Sequence, residues 1–285
     1  MGLKILKFVF MAAAVLCTAV GGLLSILCII NQTQHNTAFQ NIYFVQLNTT
    51  SLFSVNNATE LAQSIGDQIQ GDLANQLTQI IEKDNSQIQA AITQLEKQMK
   101  EISGVPDWYS VGLWNYCEGK ADDYTNPTYC SKPSSKYYFN PVKMIENDLS
   151  DAANTQISLH LSDEAEYGLK ISKGICYALR AMYILGFMFF VFTLASVLVS
   201  GCPFFGPLLV SVCCFFATVF TLVAACMAVA FYRVVISKLE EHLTMLNIPM
   251  VLGKKIFAYS FISAAAGIAA LILFFIANLT TYSPV

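Results

Sequence analysis

The 285-residue chain is 55% hydrophobic and only 12% charged, with 16 basic and 19 acidic residues and a net charge of −3. A soluble globular domain carries about 25% charged residues, so this composition excludes an ordinary soluble protein, and the balance leaves no basic footprint for nucleic acid. The charge is also unevenly placed: none falls between Lys7 and Glu60, none between Arg180 and Arg233, and none after Lys255.

A hydrocarbon core of about 30 Å is crossed by about 20 apolar helical residues. Residues 1–7, with Lys4 and Lys7, form a short basic N-terminus, and positive flanks stay cytosolic. The first span is predicted at 8–30. A secretory signal has an apolar stretch of about 7–15 residues; the run from Phe8 to Ile30 is longer and reads as a retained helix. Cleavage would leave the following domain on the same side.

Residues 31–172 are predicted to be one large extracellular domain. It carries 17 acidic and 8 basic residues, a net charge of −9, which reads as a solvated acidic surface. Asn48-Thr49-Thr50 and Asn57-Ala58-Thr59 are glycosylation sequons, and Asn31-Gln32-Thr33 is a third beside the membrane. Leu61, Ile65, Ile69, Leu73, Leu77 and Ile80, then Ile88, Ile92, Leu95, Met99 and Ile102, recur at helical spacing. They predict two amphipathic helices over 58–103, broken near Lys83-Asp84-Asn85-Ser86.

Gly104 and Pro106 end that pattern. Residues 107–140 are predicted to be a disulfide-clamped β region. It holds both tryptophans, Trp108 and Trp114, and the aromatics Tyr109, Tyr116, Tyr124, Tyr129, Tyr137, Tyr138 and Phe139. Val111, Leu113 and their aromatic neighbours suit a short strand. Seven of the nine cysteines lie in or beside apolar runs; Cys117 and Cys130 are the two in the polar loop. A lone pair in an oxidising compartment reads as one disulfide, with Trp114 expected to pack against it.

The second span is predicted at 175–200, and Ser200-Gly201-Cys202-Pro203 supplies a turn. The third runs over 203–232 and continues outward to about 246, because Val235, Leu239, Leu243 and Leu246 keep the apolar spacing. The fourth covers 256–279, and 280–285 is a cytosolic tail. Gly21, Gly22 and Ser25 in the first helix, with Ser263, Ala266, Gly267 and Ala270 in the fourth, allow close helix contact. Arg233, Lys238, Lys254 and Lys255 flank the short second loop and argue for the opposite orientation. The first helix usually dominates, so both termini are placed in the cytosol.

No catalytic constellation emerges. His35, His160 and His242 do not make the two-histidine helical spacing of a zinc protease, and no nucleophile elbow or phosphate loop occurs. No metal or cofactor is expected. Arg180, about one turn inside the second span, is the single intramembrane charge and is expected to reach the headgroups.

Gly112-Leu113-Trp114 followed by Cys117, with a second cysteine at 130 in the first outer loop, resembles the signature of claudin-type four-span proteins. The Gly-Leu-Trp-Asn-Tyr-Cys run, the length and the long helical insertion most resemble the fungal SUR7/PalI family, which includes eisosome-resident and PalI-type proteins. The resemblance implies an all-α membrane protein: a four-transmembrane-helix claudin-like bundle with a large extracellular α+β domain in the first loop. It implies no enzyme activity. It further implies plasma-membrane organisation, cell-wall or cell-cortex construction, with the bilayer, copies of itself, other membrane proteins and cell-wall components as partners. Alternatives are an accessory subunit or sensor in ambient-pH signalling or in mating and cell fusion, and a claudin-like pore. The short cytosolic tail departs from many eisosome members.

Overall fold

The computed structural model describes residues 2–32, 42–50, 105–121, 126–141, 143–145, 147–148, 163–199, 205–242 and 249–282. The amphipathic helices expected over 58–103 lie outside the described residues, as do Asn57, His35 and His160. Four long helices carry the fold: α1 (Gly2–Ile30), α2 (Asp163–Val199), α3 (Phe205–His242) and α4 (Lys254–Tyr282). Within them, Ile5–Ile30, Lys170–Leu198, Leu208–Ser237 and Lys254–Leu279 are long and apolar enough to cross a membrane. The chain is a multi-pass membrane protein. α2 and α3, at 37 and 38 residues, exceed the 20 or so that a bilayer requires.

Among the described residues there are five strands: β1 (Val45–Asn48), β2 (Trp108–Val111), β3 (Tyr116–Gly119), β4 (Tyr129–Cys130) and β5 (Met250–Leu252). They form one antiparallel sheet in the order β4-β3-β2-β1-β5. The sheet is wider than the region expected over 107–140. β1 precedes that region, and β5 comes from the second loop, where its three residues sit between Pro249 and Gly253. β1 pairs with β2 on one side (Val45 opposite Val111) and with β5 on the other (Val45 opposite Leu252).

The chain divides into two compact units. The first comprises Met1–Phe44, Ile175–Tyr232 and Gly253–Val285; the second comprises Val45–Gly174 and Arg233–Leu252.

In the first unit the helices meet through small residues, as lipid-immersed helices must when hydrophobicity gives no preference for partner over solvent. Ser263 Oγ donates to the Gly21 carbonyl at 2.7 Å, joining α4 to α1. Phe190 of α2 fills the space over Gly21 and Gly22. Gly267 lies against Thr218, joining α4 to α3, and Gly186 lies against Thr221, joining α2 to α3. Ala14, Val210, Cys214, Ala270 and Phe274 form a buried apolar cluster from three of the helices. A polar chain adds register: the Tyr183 hydroxyl meets Ser260 Oγ at 2.8 Å, and Ser260 Oγ meets Cys28 Sγ at 3.3 Å. Phe44 is wholly buried among Tyr232 (5.0 Å, stacked), Phe257 (5.9 Å, edge-on) and Tyr183 (6.3 Å). Its carbonyl accepts from Gly253 N at 2.9 Å.

Arg180 departs from expectation. It is 4% exposed and lies 4.9 Å from the centre of the Tyr177 ring, one helical turn earlier. A guanidinium over an aromatic face gains cation–π attraction and tolerates burial better than an ammonium. The side chain therefore turns into the protein instead of reaching out to headgroups.

Candidate functional site: the disulfide-clamped sheet

The second unit is built on the β2–β3 hairpin. All four residues of β2 are buried, whereas β3 alternates. The register pairs Trp108 with Gly119, Tyr109 with Glu118, Ser110 with Cys117 and Val111 with Tyr116. Gly112, Leu113, Trp114 and Asn115 are thus the loop of the hairpin, closed by Gly112 N donating to the Asn115 carbonyl at 2.9 Å. Val111 and the aromatics before it form strand β2, whereas Gly112-Leu113-Trp114 of the family-type motif occupies the turn and not the strand in which Leu113 was expected. Glycine and asparagine at the loop ends fit that role.

The loop is held from outside. Asn115 Nδ2 donates to the Ser131 carbonyl at 3.0 Å, and Ser134 N donates to the Trp114 carbonyl at 2.9 Å. Ser131 N donates to the Tyr116 carbonyl at 2.9 Å. Cys117 and Cys130 face each other across β3 and β4 and are joined as a disulfide over a sequence separation of 13. Cys117→Ser is expected to destabilise the sheet by about 3 kcal/mol, the loop-closure value for a bridge of this span. The variant should accumulate inside the cell; surface delivery equal to the native chain would contradict this.

The tryptophans divide unequally. Trp108 is 2% exposed, donates from Nε1 to the Lys120 carbonyl at 2.9 Å, and covers Gly119, where an added Cβ would lie 2.3 Å from the ring. Trp114 is half-buried. The anchor of the region is Trp108, which sequence reasoning assigned to Trp114 because of its proximity to Cys117.

A second layer of contacts fastens the following segment. Asn140 caps a short helical stretch: its Oδ1 accepts from Lys143 N at 3.0 Å and its carbonyl from Met144 N at 3.2 Å. Met144 and Ile145 are buried from this stretch, and Asp148 accepts a hydrogen bond from the wholly buried Tyr109 hydroxyl. Tyr109, Tyr116 and Tyr137 form an aromatic row at 6.1 and 6.3 Å spacing. Burial, followed by the charge of Asp148, pushes the Glu118 carboxyl up to about 7. Burial also holds the Tyr109 phenol far above its ordinary value. Neither Glu118 nor Asp148 stood out in the sequence, because their grouping with Tyr109 depends on strand register and on the fold of the segment after Asn140.

Asn48 closes β1 half-buried, and its Oδ1 accepts from Thr50 N at 3.0 Å and Thr50 Oγ1 at 2.6 Å. The sequon is thus folded as an Asx turn. Asn31 is fully buried at the end of α1, which leaves no room for a glycan in this packing. Among the described residues no group of three or more His, Cys, Asp or Glu is placed to hold a metal ion.

The profile of the SUR7/PalI family matches residues 8–273, which takes in the second and third spans whole, most of the first and fourth, the sheet and the disulfide. The chain is 55% identical over 288 residues to the SUR7 family protein pun1 of Schizosaccharomyces pombe (strain 972 / ATCC 24843), covering 100% of this chain and 99% of that protein. A four-span bundle, a disulfide-clamped sheet and a match along nearly the whole length agree, and the chain belongs to the SUR7/PalI family.

Proposed function

We propose that this chain is a non-enzymatic organiser of the fungal plasma membrane, acting through lateral association of its bundle and contacts of its outer domain. The observation that carries the reading is family membership along residues 8–273, joined to a membrane-associated role for the family in fungi. In this reading both termini are cytosolic and the sheet is extracellular. The partners are the bilayer, further copies or other membrane proteins, and cell-wall components.

The orientation rests on Lys4 and Lys7 ahead of α1 and on the oxidising compartment that a disulfide requires. Asn48 and Asn57 then carry glycans, and Asn278, within α4, carries none.

A fluorescently tagged copy in living cells tests the proposal. Stable patches at the cell surface are the expected result. An even surface distribution, with a defect confined to alkaline growth or to mating, would replace the organiser with a sensor or fusion role. Glycosidase treatment of the same preparation should increase gel mobility; unchanged mobility would remove a main support for the orientation, and a glycan on Asn278 would reverse it.

A further inference from the structure

Glu118 and Asp148 come from distant parts of the sequence and meet around one phenol. Tyr109 sits in the fully buried strand β2 and donates its hydroxyl proton to Asp148. Across the β2–β3 ladder its partner is Glu118. Glu118 Oε2 is buried and has no hydrogen-bond partner among the described residues. A carboxylate oxygen removed from water without a donor is costly, and a second carboxylate nearby adds repulsion. A proton removes both penalties at once.

Among the described residues, the titratable and charged groups of the surrounding elements begin with the buried Asp107 just before β2. Tyr109 comes from β2, Tyr116 lies two residues before Glu118 on β3, and Tyr129 stands opposite on β4. Asp148 comes from the helical stretch after Asn140, and Lys120, Lys132, Lys136 and Lys143, on the segments that adjoin these elements, are exposed.

We propose that Glu118 and Asp148 form a carboxyl pair that holds one proton, and that losing it loosens the helical stretch after Asn140 from the sheet. The proton passes to water, leaving two carboxylates in a space built for one negative charge. The stretch buries Met144 and Ile145 and is tied to β2 by the Tyr109–Asp148 hydrogen bond, so repulsion at Asp148 acts on that contact. The Glu118 carboxyl is raised from 4.5 to about 7, by burial first and by Asp148 second. A folded-state value above the unfolded one contributes stability that is full below the unfolded value. That contribution is lost as pH rises to the folded value. The attachment is therefore tightest in acid, weakens between about pH 4.5 and about pH 7, and changes little above that. This goes beyond the organiser reading and stands whether or not the chain clusters.

The test uses the full chain in lipid nanodiscs. Infrared difference titration reads the protonated carboxyl, and hydrogen exchange at about pH 5 and about pH 8, corrected for intrinsic rate, reads the stretch after Asn140. The native chain should lose a carboxyl signal with a midpoint near 7 and lose protection in that stretch at the higher pH. Glu118→Gln should abolish the signal and hold protection constant. Asp148→Asn should move the midpoint toward acid. A Glu118→Gln protein that keeps the titration, or native protection that is the same at both pH values, would overturn the proposal. If Glu118→Gln does not fold, an unmoved midpoint in Asp148→Asn overturns it alone.

Discussion

Gly253→Ala is expected to prevent the protein from reaching the cell surface. A Cβ at this position would lie 1.6 Å from the Tyr43 carbonyl oxygen and 2.7 Å from its carbon. Both atoms are backbone, so no side chain can rotate away. The substitution must part the two segments and break the bond from Gly253 N to the Phe44 carbonyl. Phe44 would then leave its setting among Tyr183, Tyr232 and Phe257. Overpacking costs about 1–3 kcal/mol and a lost buried backbone bond about as much again; together they approach the whole stability of a marginal domain. Gly174→Ala is the control. That glycine lies in α2 with nothing within 4 Å of an added Cβ, so alanine there should be neutral or stabilise by about 0.5–1 kcal/mol. The measurement is the surface-labelled fraction of each variant. Normal delivery of Gly253→Ala would show that the two segments are free to separate.

The spans were legible because the bilayer imposes a length and forbids charge, and both constraints are written locally in the chain. The disulfide was legible by the same kind of local argument, since Cys117 and Cys130 stand apart from the apolar runs. Pairing partners are not written locally. β1 and β5 are four and three residues long, too short for a period-two pattern to stand out, and they lie about 200 residues apart. The breakers Pro249 and Gly253 flanking β5 were the available signal. Leu113 read as strand together with Val111 and their aromatic neighbours, yet a hairpin needs its turn somewhere, and Gly112 and Asn115 bound the four residues that let Val111 meet Tyr116. Arg180 read as exposed because a charge in an apolar helix usually seeks headgroups. The Tyr177 ring one turn away gave it an alternative that composition could not weigh. Glu118 and Asp148 were ordinary acidic residues until register placed the first opposite Tyr109 and a side-chain hydrogen bond joined the second to it.

The same dependence on register decides which tryptophan matters most. Trp108→Ala is expected to cost about 3–5 kcal/mol, the range for removing a buried large aromatic. The loss has three sources: the ring's own burial, the hydrogen bond from Nε1 to the Lys120 carbonyl, and the cover over Gly119. Gly119 has no side chain to fill the vacated space, so the cavity opens beside the disulfide strand. Trp114→Ala removes a half-buried ring from the hairpin loop and leaves its backbone bond to Ser134 N in place. Its cost should be about 1–2 kcal/mol, in proportion to the smaller area covered. These are the two tryptophans of the chain, so each variant reports on the other residue. The Trp114→Ala protein fluoresces from Trp108 alone and should resist acrylamide quenching. The Trp108→Ala protein, where it can be isolated, should be quenched readily. Surface delivery should follow the same order, with Trp108→Ala retained and Trp114→Ala delivered. Equal quenching in the two variants, or normal delivery of Trp108→Ala, would return the anchoring role to Trp114. Delivery of Trp114→Ala with loss of surface patches would instead mark the hairpin tip as a contact surface, which a ring half open to its surroundings is placed to be.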